Sequence, residues 1–143
     1  PHDTIGPGAY CVFTESRKLT VATDIGWATP KVKENIYDSD VLLLESNHDL
    51  DMLKHGSYPW PLKQRIMGDR GHLSNVSAGE ALGEIMSGRL KYVFLGHLSN
   101  ENNEPHLAYE TVDRILEDNN IKVGKHLDLD MASRYSNSRM IEL

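Results

Sequence analysis

Two short apolar runs constrain the fold of this chain more than any other feature. Residues 40–45 read DVLLLE and residues 91–96 read KYVFLG, and each run has the length of a strand. Neither alternates apolar with polar residues, so both faces of each strand must be covered, which is typical of central strands in α/β sheets. Helix-like segments separate and flank the two runs. We therefore expect a layered α/β (α+β) domain.

The other predicted elements surround these two strands. Residues 9–14 and 18–23 are β-rich, and the three residues between them favour a hairpin. Pro30 is suited to the first turn of a helix, and Ser77 with Glu80 forms a capping box that opens another. The predicted helices cover residues 30–37, 50–55, 61–67, 77–86 and 105–119, and two extended segments follow at 127–129 and 140–143.

Charge and cysteine content exclude several classes of protein. The net charge of −6 argues against a protein that holds nucleic acid by basicity alone. It does not exclude a metal-dependent nuclease, because bound cations supply positive charge where phosphate lies. The single cysteine, Cys11, excludes an internal disulfide and predicts a cytoplasmic protein. No apolar run approaches the roughly 18 residues of a membrane helix, so we expect no membrane partner.

Titratable side chains follow the predicted strands. Asp24 closes the second hairpin strand, Glu45 closes the first apolar run, His97 follows the second, and His72 lies in the loop between them. Side chains from several loops meet at the carboxyl ends of strands in α/β sheets. Two carboxylates and two histidines suit a metal site with a proton-transfer pair.

Each of these residues also has a structural interpretation. An Asp after a strand is commonly a turn former, and a His in a Gly-His loop is commonly a hydrogen-bonded structural residue. Trp60, between two prolines, is either a packing anchor or a platform on which a base stacks. Residue spacing alone leaves both kinds of interpretation open.

Six segments in a fixed order carry a resemblance. They are HD at 2–3, ATDIG at 22–26, ESNHD at 45–49, YPWPLKQRI at 58–66, GHLSN at 71–75, and GHLS at 96–99 with Asn102-Asn103 after it. Their combination resembles the YycJ/WalJ-like branch of the metallo-β-lactamase superfamily, relatives of ribonuclease Z and the β-CASP nucleases. The resemblance runs from residue 2 to about residue 123. It implies a four-layer αβ/βα sandwich with a two-metal site at one edge of the sheets.

The resemblance also implies roles for single residues. Asp24 corresponds to the aspartate that bridges the two metals, and His97 to the last histidine ligand. Glu45 and His72 correspond to the catalytic proton-transfer pair. The metals implied are two divalent ions, zinc or alternatively manganese. The polar residues expected to face substrate are His2, Ser74, Asn75, Ser99 and Asn103.

One part of the family pattern is absent. The His-x-His-x-Asp-His motif, which supplies most of the ligands, does not occur in these 143 residues. The two remaining ligands are too few for two metals, because each zinc site takes about three or four protein ligands. We therefore expect residues 1–143 to form the C-terminal part of a single domain whose N-terminal half carries the motif. Alone, this chain is expected to bind metal weakly or not at all and to be inactive.

The same reasoning predicts partners and function. Half of a sandwich would expose apolar strand faces near Leu42 and Val93, which would pack on the N-terminal half or on a second copy in a homodimer. The leading hypothesis is a metal-dependent hydrolase, specifically a two-metal phosphodiesterase or nuclease acting on nucleic acid. The alternatives are a hydrolase of another ester or a small cyclic phosphate, and a non-catalytic regulatory or interaction module on the same fold.

Overall fold

A computed structural model describes residues 9–143 of the chain. Its elements alternate between strands and helices after an opening hairpin, which confirms the predicted α/β class. In chain order they are β1 (Ala9–Phe13), β2 (Lys18–Ala22), α1 (Pro30–Ile36), β3 (Val41–Glu45), α2 (Leu50–His55), α3 (Trp60–Met67), α4 (Asn75–Ile85), β4 (Tyr92–Gly96), α5 (Pro105–Asp118) and β5 (Asp128–Met131).

The strands form one sheet in the order β1-β2-β3-β4-β5. The hairpin partners β1 and β2 are antiparallel, whereas β2 with β3, β3 with β4, and β4 with β5 are parallel. The two apolar runs therefore become β3 and β4, each with a neighbour on both sides, as predicted. Parallel neighbours need crossover connections, and the helices supply them.

One face of the sheet carries the core. The register aligns Ala22 with Leu44 and Leu44 with Leu95, so these side chains form a row across the sheet. They belong to one buried cluster that includes Leu82 of α4 and Leu116 of α5. Helices α4 and α5 pack closely, and a methyl group at Gly79 would lie 2.9 Å from Ile115 Cδ1. This face is closed by helices.

The opposite face is partly open, and it differs from the prediction. Leu42 and Val93 are both 0% exposed because their side chains point into the helix-covered core. An exposed apolar strand face was predicted near Leu42 and Val93, and at these two residues themselves the prediction is wrong. The apolar side chains that reach solvent lie on the hairpin, where Tyr10 is 70% exposed and Leu19 40%. Alternation along each strand decides which residues face solvent.

Most predicted element boundaries agree with the structure within one or two residues. The larger difference is in the N-cap of α4, which lies three residues before the predicted one, because the side chain of Ser74 accepts a hydrogen bond from the Ser77 backbone N–H at 3.1 Å. Ser74 is therefore the N-cap, and the predicted capping box at Ser77 lies inside the helix. Residues 140–143 form no strand in the described chain. None of the helices within residues 9–143 is long and apolar enough to cross a membrane.

Candidate active site

Four side chains converge at the carboxyl-end edge of the sheet. Asp24 follows β2, Glu45 is the last residue of β3, His97 follows β4, and His72 comes from the loop between α3 and α4. Each offers one atom that could ligate a metal, and these atoms all lie within 4.8 Å of one another. Parallel strands end at the same edge, which brings together residues far apart in sequence. The structure thus assembles all four residues that the sequence singled out as ligands and catalytic pair.

Glu45 is the centre of this cluster. Its Oε1 atom lies 2.6 Å from His72 Nδ1 and 2.6 Å from His97 Nδ1. Its Oε2 atom accepts the backbone N–H of Ile25 at 2.8 Å and lies 3.5 Å from that of Leu73. An ionised carboxylate can only accept, so Nδ1 carries the hydrogen in both imidazoles. One carboxylate therefore sets the tautomer and the orientation of two histidines.

Electrostatics reinforce this arrangement. Burial raises the pKa of Glu45, but hydrogen bonds from His72, His97 and the Ile25 N–H outweigh it, so the pKa of this carboxyl is lowered. The hydrogen bond with Glu45 raises the pKa of His97, with burial opposing and Asp24 assisting. Glu45 is thus an ionised, fully buried group near neutral pH.

Two of the site residues have an unusual backbone conformation. Asp24 has φ 57° and His97 has φ 58°, both in the left-handed region. This conformation costs a non-glycine residue roughly 1 kcal/mol or more. It turns the chain sharply at each strand end, and the carbonyl of His97 is held by Asn47 Nδ2 at 2.8 Å. Strain of this kind persists where surrounding contacts determine the conformation, as at functional sites.

Two glycines allow the site loops to approach each other. A methyl group at Gly26 would lie 2.1 Å from the carbonyl oxygen of Asp69, and one at Gly71 would lie 1.9 Å from that of Ile66. Such distances are far inside van der Waals contact. Gly26 therefore lets the loop after Asp24 pack on the backbone of the loop before His72, and Gly71 lets that second loop pack on the end of α3. Only glycine permits these approaches.

Asn75 and Asn103, two of the predicted substrate-facing residues, have internal partners. Ser46 Oγ donates to Asn75 Oδ1 at 2.7 Å, Asn75 Nδ2 donates to Asn103 Oδ1 at 2.9 Å, and Asn103 Nδ2 donates to the Ser46 carbonyl at 2.8 Å. All three residues are buried. This network joins the loops after β3 and β4 to the start of α4, and the predicted contact of these amides with substrate stays a prediction.

The other three residues predicted to face substrate lie in different places. Ser74 is buried and caps α4. Ser99 is half-buried and lines a cleft beside the site, so its predicted contact with substrate stays a prediction. His2 lies outside the described residues.

A cleft of about 490 Å³ opens beside the histidines. His72 and His97 form part of its wall, together with Tyr58 and three arginines, Arg65, Arg70 and Arg134. Sequence reasoning missed these arginines, because Arg134 is distant in sequence and joins the others only through the fold. Trp60 is not among the lining residues, and at 59% exposure it is not a buried packing anchor either.

His48 is a second feature that sequence reasoning did not identify. Its side chain is 1% exposed, and neither ring nitrogen has a hydrogen-bond partner within residues 9–143. Burial and the neighbouring charge of His72 lower its pKa to about 4, against opposing effects of Glu45 and Asp49. The sequence around a single histidine does not show whether its side chain is buried or exposed.

The donors present suit part of a metal site. Asp24 Oδ1 lies 3.7 Å from His97 Nε2, near the roughly 3.3 Å that separates two ligands of one tetrahedral zinc ion. Carboxylate oxygen and imidazole nitrogen are the donors that zinc and manganese accept. Because Glu45 holds Nδ1 of His97, the ring meets Asp24 through Nε2, as a histidine ligand with an outer-shell carboxylate does.

Comparison with known proteins places the chain in a family. No family model matches it. It is similar to the exodeoxyribonuclease YycJ of Bacillus anthracis, with 36% identity over 128 residues, covering 90% of this chain and 48% of that protein. It is also similar to the exodeoxyribonuclease WalJ of two strains of Streptococcus pneumoniae, with 38% identity over 123 residues, covering 86% of this chain and 46% of WalJ.

The chain spans about half the length of the curated relatives it matches. The match includes most of the residues that the structure describes. The α/β sheet, the cluster at the strand ends and the order of the sequence motifs are consistent with this relationship. Over this span, the chain belongs to the YycJ/WalJ-like branch of the metallo-β-lactamase superfamily.

Proposed function

We propose that this chain contributes the carboxyl-end half of the active site of a metal-dependent deoxyribonuclease that hydrolyses phosphodiester bonds. The observation that carries the proposal is the shared contact of His72 and His97 with one buried carboxylate, Glu45, beside Asp24. The names of the relatives, exodeoxyribonucleases, support DNA as the substrate. A cytoplasmic location is part of the same proposal.

In this proposal Asp24 and His97 would hold divalent metal. Divalent cations bound there would supply Lewis-acid stabilisation of phosphoryl charge and a nucleophile at neutral pH. Glu45 holds the His97 ring through Nδ1, so that its Nε2 atom is presented on the side of Asp24. Outer-shell carboxylates of this kind orient a ligand and increase its basicity.

His72 is proposed as the general acid. Its Nδ1 hydrogen bonds to Glu45, so proton exchange with substrate takes place at Nε2. In hydrolysis a water oxygen bonds to phosphorus while the bond between phosphorus and the leaving oxygen breaks, and His72 Nε2 would give its proton to that leaving oxygen. Glu45, 2.6 Å from Nδ1, would orient the His72 ring for this transfer, as a buried carboxylate does for a catalytic histidine.

We further propose that the other ligands lie on the half of the fold that these residues do not contain. The relatives are about twice as long as the matched segment. The open sheet face around Tyr10, Val12 and Leu19 gives that half an apolar surface to cover. On this basis residues 1–143 alone should bind Zn²⁺ or Mn²⁺ far more weakly than the full-length protein, which isothermal titration would measure.

The test of the function is cleavage of labelled DNA by the full-length protein in the presence of Mn²⁺ or Zn²⁺. Loss of a general acid costs about 10²–10⁴-fold in rate, so His72→Ala should lose this much while its metal content stays near that of the wild type. His97→Ala should lose both activity and bound metal. His106→Ala, at an exposed histidine on α5, serves as the matched control.

Activity retained in both His72→Ala and His97→Ala would overturn the assignment. A full-length protein that contains no zinc or manganese by elemental analysis would contradict it as well, in favour of a non-catalytic module.

A further inference from the structure

The cleft beside the histidines has a charge opposite to that of the whole chain. The chain carries −6 overall, yet Arg65, Arg70 and Arg134 all line this one cleft. Among the described residues that line it, Glu101 is the one acid, and Ser57 Oγ donates to it at 3.2 Å. The cleft is therefore a local positive region on an acidic protein, which attracts an anionic ligand.

Arg134 differs from three other arginines of the described chain in what it contacts. Arg17 and Arg89 form ion pairs with the buried Asp40, and Arg139 pairs with Asp128 and Asp130. Arg134 instead donates from Nη2 to the Leu98 carbonyl at 3.1 Å. That contact fixes the guanidinium beside the loop that carries His97, and its remaining N–H groups are donors suited to phosphate.

Apolar and aromatic side chains also line the cleft. Leu62 and Ile66 lie one turn apart on α3, and Tyr58 precedes the helix. A basic groove with an aromatic side chain beside it is the combination that binds single strands of nucleic acid. The cations follow the phosphates, and a base stacks on the ring.

We propose that this cleft binds one DNA strand next to the bond that is cleaved. Arg70 and Arg134 contact phosphates flanking the scissile one, and Tyr58 supports the adjacent base. The inference rests on the proposed function, and it assigns a binding role to residues outside the His72 and His97 cluster. Its position follows from the two histidines, which form the wall shared by the cleft and the site.

The test measures binding without chemistry. The full-length protein in EDTA is titrated against a short 5′-fluorescein-labelled oligo(dT), by fluorescence anisotropy, over a salt series from about 50 to 200 mM. The double variant Arg70→Gln/Arg134→Gln should bind at least about tenfold more weakly at low salt. The salt dependence should also flatten, by about 0.7 in the log–log slope for each phosphate contact removed from a single strand.

A matched control removes the same charge elsewhere. Lys31→Gln/Arg114→Gln changes two exposed cations on α1 and α5 that do not line the cleft, and it should change affinity less than twofold. Within the cleft, Tyr58→Phe should retain affinity, whereas Tyr58→Ala should lose about tenfold, the loss expected for one stacked base.

Two outcomes overturn the inference: arginine variants that bind as the wild type does, or a control that weakens binding as much as they do. The result is distinguishable from failure of the proposed function. A protein that cleaves DNA but ignores the arginine substitutions refutes only the cleft. A protein that binds DNA through these arginines but does not cleave it refutes only the nuclease assignment.

Discussion

Strand β3 has a buried carboxylate at each end, and the two carboxylates differ in the side chains they contact. Asp40 precedes the strand and Glu45 ends it, and both are almost completely excluded from solvent. Asp40 accepts from Arg17 and Arg89 and from the Lys18 backbone N–H. Glu45 accepts instead from two histidines and from backbone N–H groups.

The difference lies in the partners. For both residues burial raises the pKa, but the hydrogen bonds lower it by more than burial raises it. The net pKa is therefore lowered, and each carboxyl is ionised. Guanidinium groups do not exchange protons near neutral pH, so the Asp40 cluster can only hold the hairpin to the sheet. Imidazoles exchange protons and bind metals. A buried carboxylate is thus a functional signal only when its partners can react.

The largest effect should come from Glu45→Gln. The amide retains the size of the side chain but loses the charge that orients and stabilises both imidazoles. We expect DNA cleavage by the full-length protein to fall by at least about 10²-fold, the magnitude of a lost acid–base or outer-shell partner. Metal content should fall as well. Activity within a few-fold of wild type would mean that Glu45 resembles Asp40 after all.

A pH effect should arise from His48, three residues beyond Glu45. Its pKa is about 4 in the folded chain and about 6.5 when unfolded. The unfolded state therefore binds a proton first, and stability present above pH 6.5 is lost as the pH falls towards 4. The loss approaches about 3 kcal/mol by linkage.

His48→Phe is the variant that isolates this contribution. Urea unfolding at several pH values should show the wild type losing stability between pH 6.5 and 4 relative to the variant, with little difference in the slope above pH 7. Parallel curves for the two proteins throughout that range would contradict the prediction. Asp40, Glu45 and His97 are present in both proteins, so their contributions to the pH dependence of stability cancel when the two curves are subtracted.

The smallest effect should come from the other end of β3. Asp40→Asn removes the charge that two half-exposed guanidinium groups contact, and we expect a loss of about 2 kcal/mol in unfolding free energy, the magnitude of lost hydrogen bonds to a charged group. Both arginine side chains are 45% exposed, so Arg17→Gln alone should cost less than about 1 kcal/mol. DNA cleavage by both variants should stay near wild type, and a loss of activity comparable with that of Glu45→Gln would remove the contrast between the two ends.

Local pattern was sufficient for much of the fold. The unbroken apolar runs identified β3 and β4, and the hairpin was visible from two β-rich segments. Asp24, Glu45 and His97 were identified because a polar residue directly after a strand lies at the sheet edge. The start of α4 was placed too late, because Ser74 and Ser77 are both good caps, and only the hydrogen bond from the Ser77 N–H identifies the one in use.

Other features depend on contacts between distant residues. Asparagines such as Asn75 and Asn103 are residue types expected in turns or facing substrate. In the structure both are buried and hydrogen bond to each other. An open apolar face was predicted near Leu42 and Val93, but alternation in the folded sheet directs these two side chains into the core. The positive cleft requires Arg70 and Arg134, which are distant in sequence, to line the same space.

The amino-acid sequence by itself determined the class of fold, the identity of the four converging residues and the family to which the chain is related. These follow from hydrophobic pattern and from motif order, which are local properties. The tertiary structure alone decided that one oxygen of Glu45 serves both His72 and His97 and that an acidic chain carries a positive cleft beside them. Those are distances between residues from separate loops, and no local pattern contains them.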